Sequence, residues 1–353
     1  MLGTTLSVIS ISALALGAAP PSPLLTSTAG TAVVQALSSA LLMNVSIVGI
    51  NQLTDIAIDR VNKPTLPLAS GEMIPAAGVA ICVACTVLAL AIGVASNSPP
   101  LMITLVGSLL LGIFYSIELP FMRWKRSPLL AAGCILVVRA FLVQLGFYTH
   151  MALATGVFSW PGGAGVLDGA GQAAAAAVTA VVGGGGGAAL VGLGGPDVAV
   201  AATAAALVGA VGPSLLATLQ PLVTRPLAFT VAFMLLFSVV IALFKDIPDV
   251  EGDVQEGIST FSVRLGPRKV FWICVWILTA AYAGAIAFAF ATLPIASCLP
   301  RLAFSVGGHL AMTFVLWSNA VKVDFTSKAQ ITAFYMLVWK LFYAEYLIIP
   351  ALQ

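Results

Sequence analysis

Charge is scarce in this chain of 353 residues. Lys and Arg number 15 and Asp and Glu 13, together 8% of the chain, against 60% hydrophobic residues. A soluble domain carries roughly a quarter charged residues, so a water-facing globular surface is excluded. The mean hydropathy of +1.08 agrees. The apolar runs are long and continuous, whereas strands of a membrane barrel would be about ten residues of alternating polarity. The composition therefore implies an all-α integral membrane protein. Cysteine is also scarce: Cys82, Cys85, Cys134, Cys274 and Cys298 are scattered. Cys82 and Cys85 have a CxxC spacing but lie inside an apolar run, and they read as small buried residues rather than a metal or redox pair. A net charge of +2 says little about partners, and neither nucleic acid nor a protein partner is inferred. Basic residues are missing ahead of the first apolar run, so no cleavable targeting segment is visible. The chain reads as starting inside its first span, with a piece upstream.

What is present is organised as nine apolar segments, at roughly 4–20, 30–53, 73–95, 100–119, 127–151, 224–246, 268–293, 297–319 and 329–350. They form one domain over 1–353, interrupted at about 156–222 by a Gly/Ala-rich insert with five consecutive glycines at 183–187. Low complexity of this kind specifies no unique packing; a disordered loop and a helical hairpin both remain open. Threading nine spans alternately puts 11 of the 15 Lys and Arg on one face, which the positive-inside rule makes cytoplasmic or stromal. The insert must then cross the membrane zero or two times.

The few acids are not spread evenly. Seven of the 13 lie in Asn51–Asp59, in Lys245–Asp253 and at Glu256. Asn51, Asp55 and Asp59 step by four, and Asp246, Asp249 and Asp253 by three and four, so each set is expected on one helix face. Carboxylates in an apolar protein are costly, and their clustering suggests a cation that they hold. Oxygen donors suit Mg²⁺, which keeps coordination sites for phosphate oxygens. Two such clusters could hold a diphosphate through Mg²⁺, with Asp55, Asp59, Asp249 and Asp253 as metal ligands. Arg60, Lys63, Lys125, Arg126, Lys245 and Arg264 are the cations suited to the remaining phosphate charge. Either motif alone is equally a solvated helix end; two on one expected face favour the site. The stretch 61–72, with two prolines and a glycine, reads as an ordered loop directing Lys63 inward, or as a plain turn.

Within the spans, Tyr115 and Arg139 are assigned to a cavity, with a structural ion pair as the alternative for Arg139. His150 reads as interfacial. Lys340 and Glu345 are five apart, a poor helical pairing, and are expected to contact other helices. Phe271, Trp272 and Trp276 read as an interfacial belt and packing surface. Phe114, Tyr115, Phe141 and Phe147 are candidates for lining an apolar channel.

Asn51-x-x-x-Asp55-x-x-x-Asp59 together with Asp249-x-x-x-Asp253 resembles the UbiA superfamily of intramembrane prenyltransferases. The runs NQLTDIAIDRVNKPTLPLASGE, RWKR, VRAFLVQLGFYTH, TRPLAFTVAFMLLFSVVIALFKDIPDVEGD and ISTFSVRLGPRKVFW resemble its homogentisate phytyltransferases. The resemblance covers nearly the whole chain apart from the insert and the start. It implies nine helices around one central cavity in a plastid membrane, with the site on the stromal face. It also implies Mg²⁺-dependent transfer of a phytyl group from phytyl diphosphate to homogentisate, with loss of carbon dioxide, towards tocopherol. Asn51, Asp55, Asp59, Asp246, Asp249 and Asp253 would be its catalytic residues, and membrane lipid its surroundings. Geranylgeranyl or solanesyl transfer to homogentisate, or prenylation of another aromatic acceptor, is the alternative. A cation transporter is a reading of another class, favoured by acids at the bilayer midplane; here they fall at the ends of spans. An inactive chain, marked by its start and insert, is the third. Replacing 156–222 by a short linker is expected to preserve prenyl transfer in a membrane assay; complete loss in a folded variant would contradict a peripheral insert.

Overall fold

The computed structural model describes residues 1–19, 25–118, 122–160, 223–248, 250 and 260–352. Every regular element among them is helical. In chain order these are α1 (Leu2–Leu16), α2 (Leu25–Thr54), α3 (Ile56–Asn62), α4 (Pro67–Ser70), α5 (Pro75–Ala95), α6 (Pro99–Ser116) and α7 (Pro128–Leu136). After them come α8 (Val143–Ala154), α9 (Arg225–Lys245), α10 (Phe261–Leu265), α11 (Pro267–Thr292), α12 (Ile295–Ala320) and α13 (Lys328–Ile348). A π-helical turn, Val137–Leu142, joins α7 to α8, and a 3₁₀ turn at Trp124–Arg126 precedes α7.

Eight segments among the described residues are long and apolar enough to cross a membrane, with α7, the π turn and α8 counting as one, Leu130–Ala154. The expected ninth, at 4–20, corresponds to α1, which has 15 residues. That is shorter than the roughly 20 a spanning helix needs. The Gly/Ala-rich segment from 161 to 222, and with it the number of its crossings, lies outside the described residues. Helix starts follow local chemistry. Proline opens α5, α6 and α11 at a position where a missing N–H costs no hydrogen bond. Thr224, Thr260 and Ser327 accept backbone N–H groups with their side chains at the starts of α9, α10 and α13.

The chain divides into two compact units, one made of residues 1–9, 19–131 and 146–223, the other of 10–18, 132–145 and 224–353. In the first, α2 packs against α5 and α6. Small residues allow the approach: a Cβ on Gly112 would come within 2.8 Å of the Ile47 side chain, and one on Gly49 would strike Cys82. Lipid is as apolar as the helices, so packing and hydrogen bonds hold them together. Ser46 and Thr86 hydroxyls meet at 2.6 Å between α2 and α5. His150, expected at the interface, is buried at 2% exposure. Its Nδ1 lies 2.7 Å from Ser98 Oγ and its Nε2 3.1 Å from Ala32 O, so its two polar partners sit on other elements inside the unit.

In the second unit, α9, α11, α12 and α13 share an aromatic core. Phe237 lies 5.4 Å from Phe342 and Phe271 lies 4.7 Å from Phe334, ring centre to ring centre. Phe271 is fully buried there, while Trp276 is 59% exposed, so the expected belt is divided between core and surface. Trp317 donates to Thr279 at 2.9 Å. A kink at Cys298, two residues before Pro300, bends α12. Glu345 does contact another helix: it meets His309 Nε2 of α12 at 2.9 Å, and both side chains are fully buried. Replacing His309 by Leu leaves that carboxyl without its partner in apolar surroundings. The expected loss is about 1–3 kcal/mol, read as a lowered unfolding temperature in detergent; an unchanged transition would show that the bond contributes nothing.

Candidate diphosphate and cation site

The first acidic motif does not lie on one uninterrupted helix. Helix α2 ends at Thr54, Asp55 has φ −114° and ψ 13°, and α3 starts at Ile56. Asp55 stands at the helix-start position yet makes no capping hydrogen bond with its side chain. Its carboxylate is engaged elsewhere: Lys125 Nζ lies 2.6 Å from each of its two oxygens. The same ammonium donates to Asn51 Oδ1 at 3.2 Å, and Thr54 Oγ1 is 3.5 Å away. Asn51 and Asp55 are thus brought together around one cation. Asp59 is not part of that contact; it is 6% exposed, and Lys63 is its ion-pair partner at 3.8 Å.

Lys125 is delivered by the 3₁₀ turn. Arg123 before it takes a left-handed conformation, φ 58° and ψ 48°, and Trp124 stacks on Phe114 of α6 with ring centres 5.1 Å apart. Phe114 therefore fixes this turn. Arg123 was not foreseen as a site residue. It lies 3.7 Å from Asp55 Oδ1 and also pairs with Glu118. The side chains of Asp55, Lys125 and Arg123 are 12%, 14% and 10% exposed, so these charges meet largely out of water. Ser116 Oγ, at 3.4 Å from Asn51 Oδ1, completes the surround.

Other expected cations are placed differently. Arg126 is exposed and pairs with Glu118 at 2.7 Å rather than joining Lys125. Lys63 is 65% exposed, so the loop does not turn it inward, although the loop is ordered: α4 buries Leu68 and Ala69 and Gly71 closes it at φ 85°. Arg60 is exposed, as are Lys245 and Arg264 in the second unit, and Tyr115 is half-buried. Of the second motif, Asp246 is half-buried at the C-terminal cap of α9. Asp249 and Asp253 lie outside the described residues. Among the described residues, no three Asp, Glu, His or Cys side chains converge on one point.

Arg139 is held by neither a carboxylate nor a helix end. Its guanidinium carbon stands 4.6 Å from the Trp339 ring centre and 5.6 Å from that of Phe342. Of the proposed channel aromatics, Phe147 is buried in packing at 2% exposure and Phe141 is 40% exposed.

The donor set around Lys125 Nζ, a carboxamide oxygen and two carboxylate oxygens, is hard and anionic, and it already converges on a cation. Those residues fit Mg²⁺ chemically. The two-oxygen contact also predicts energetic coupling. In a double-mutant cycle on thermal unfolding, Asp55→Asn and Lys125→Met are expected to couple by about 1–3 kcal/mol; additive effects would show that the pair is not formed.

The model of the UbiA prenyltransferase family matches residues 4–341. The rice protein named Probable homogentisate phytyltransferase 1, chloroplastic (Oryza sativa subsp. japonica) is 45% identical over 100% of this chain and 70% of its own length. The homogentisate geranylgeranyltransferase of Hordeum vulgare is 41% identical over 90% of this chain and 62% of its own length. In fold, a UbiA homolog from Aeropyrum pernix K1 superposes with a TM-score of 0.50 at 15% identity, over 96% of this chain and 95% of that one. With the family model spanning nearly the whole chain and the same helical architecture in a solved homolog, this membrane protein belongs to the UbiA prenyltransferase family.

Proposed function

We propose that this enzyme transfers a phytyl group from phytyl diphosphate to the ring of homogentisate. The allylic C–O bond of the donor breaks and a C–C bond forms at the ring. Diphosphate and carbon dioxide leave, the proton lost from the ring is balanced by the one the side-arm carbon takes up on losing carbon dioxide, and the product is a methyl-phytyl-benzoquinol, a tocopherol precursor. The observation that carries this reading is the match to the rice phytyltransferase, which covers the whole of this chain and 70% of the rice protein. The oxygen cluster of Asn51 and Asp55 around Lys125 supports its chemistry.

Asp55, Asp59, Asp249 and Asp253 are assigned to Mg²⁺, with Asn51 and Asp246 as further oxygen donors of the two motifs. Bound there, Mg²⁺ would offset negative charge on the diphosphate. Lys125 and Arg123 supply fixed positive charge for the leaving oxygens, with Arg60, Lys63, Arg126, Lys245 and Arg264 as further contacts for phosphate. Apolar helices take up the prenyl tail, at about 0.8 kcal/mol per buried methylene, and keep water from an allylic cation. The site is assigned to the stromal face of a plastid membrane, which the bias of Lys and Arg and the chloroplastic rice relative support.

The barley geranylgeranyltransferase, at 41% identity, favours geranylgeranyl diphosphate as the second donor. Membranes containing the protein, supplied with radiolabelled homogentisate and Mg²⁺, are expected to yield a lipid-soluble product with phytyl diphosphate in preference to the geranylgeranyl and solanesyl donors. Preference for geranylgeranyl diphosphate would reassign the donor, and no product with any donor would reject the acceptor. A chelator is expected to stop the reaction and added Mg²⁺ to restore it; turnover that survives chelation would remove the metal assignment. Asp55→Ala and Asp249→Ala are each expected to lower turnover by at least about a hundredfold in protein that still folds. Near-normal turnover of either would remove that residue from the site.

A further inference from the structure

Arg139 sits in the membrane-spanning segment Leu130–Ala154, within the π-helical turn. Such turns widen a helix and often occur at functional sites. Gln144, fully buried, donates its amide to the Arg139 carbonyl at 2.9 Å and to the Tyr346 hydroxyl at 3.3 Å, which fixes the turn to α13. The guanidinium then lies against Trp339 and Phe342, whose rings meet at 88° with centres 5.8 Å apart. Its electrostatic neighbours are Tyr335, Tyr343 and Tyr346. It makes no hydrogen bond or ion pair with any described residue. All of these residues belong to the second unit.

A guanidinium offers five donors in a planar fork that matches a carboxylate in a bidentate way, and its faces stack on aromatic rings. Here the rings are supplied and the fork is left without an acceptor. A charge inside a membrane span faces a cavity or pairs with an anion. We infer that Arg139, stacked on Trp339 and Phe342, binds the carboxylate of the aromatic acceptor and so selects an aromatic acid for the reaction. The surroundings favour that guest over a diphosphate. A diphosphate carries about three negative charges and calls for several cations, whereas one cation in an aromatic corner matches a single carboxylate on the side arm of a ring. Tyr335 of α13 interacts electrostatically with Arg139 and also with Lys245 and Asp246 at the end of α9.

The inference rests on the proposed function for the identity of the acid, homogentisate, and its test separates the two. The full chain in lipid nanodiscs is used, as wild type, Arg139→Met and Arg139→Lys. Equilibrium dialysis compares radiolabelled homogentisate with its methyl ester, since the ester cannot lose carbon dioxide and so is not a fair substrate. The wild type is expected to bind the acid about tenfold or more tightly than the ester, and Arg139→Met to lose that discrimination. In initial-rate assays Arg139→Met is expected to raise the KM for homogentisate by a similar factor and to leave the KM for phytyl diphosphate within about twofold. Arg139→Lys, which keeps the charge without the fork, should fall between. Equal binding of acid and ester by the wild type overturns the inference, and this arm needs no variant to fold. A rise in the donor KM with an unchanged homogentisate KM overturns it too. If the wild type turns over no homogentisate with any donor, the functional reading fails. Dialysis with 4-hydroxybenzoate then judges Arg139 alone: tenfold weaker binding by Arg139→Met upholds aromatic acid recognition, and equal binding ends it.

Discussion

A carboxylate among apolar helices needs a cation beside it, and the structure around Asp55 is arranged to meet that need. Leaving water costs an ion several kcal/mol even after relaxation, and only close, well-directed partners return it. Lys125 does so at 2.6 Å from both oxygens. The surrounding features serve that contact. Helix α2 stops at Thr54, so Asp55 is not bound to helical geometry. Arg123 adopts a left-handed backbone to turn the chain back, and Trp124 is anchored on Phe114. Without Lys125, two acceptors of one motif would face each other across the end of a membrane helix.

The same constraint explains how helices of such uniform greasiness find their places. Apolar contact does not distinguish a neighbouring helix from lipid, so directional contacts carry the discrimination. Ser46 with Thr86 sets α2 against α5, and His150 ties α8 to Ser98 and Ala32. In the second unit Trp317 reaches Thr279 and His309 reaches Glu345. Small residues set the separation: Gly112 leaves room for Ile47, and Gly308 for Ile348. Frames fixed in this way hold the helix ends where the charged residues stand.

The spans were legible because hydropathy is a sum over about twenty residues, and no tertiary contact can reverse it. The acids of the first motif were legible as a cluster for the same kind of reason, since rarity marks them. What they contact was not. Asn51-Gln52-Leu53-Thr54-Asp55-Ile56-Ala57-Ile58-Asp59 contains no Gly or Pro, so its i, i+4 pattern runs through the break at Asp55 unchanged. The one available signal was that Asp is itself a preferred helix-start residue. Lys125 is among the cations the sequence points to, but nothing in its spacing marks Arg123, whose role depends on a backbone turn. His150 was read as interfacial from its place near a span end; its partners, Ser98 and Ala32, are 52 and 118 residues away. Partners that distant leave no trace in a local pattern. Arg139 stands out in the sequence as a charge inside a span, but its ring partners on α13 look there like ordinary packing residues.

Lys125 and Arg139 show two ways for a cation to exist in such a protein, and the difference between them is informative. Lys125 has its countercharge built in. Arg139 has rings, which return about 0.5–2 kcal/mol, against a cost of about 2.5–3.5 kcal/mol for Arg at the centre of a membrane helix. Stacking alone leaves a shortfall of about 0.5–3 kcal/mol, and five donors without acceptors. A residue in that condition is not explained by packing: Leu or Met would fill the corner beside Trp339 and Phe342 without the penalty. The shortfall closes when an anion arrives, and a flat anion gains ring contact as well as hydrogen bonds. The charge that costs the fold stability is then the source of selectivity for the acid.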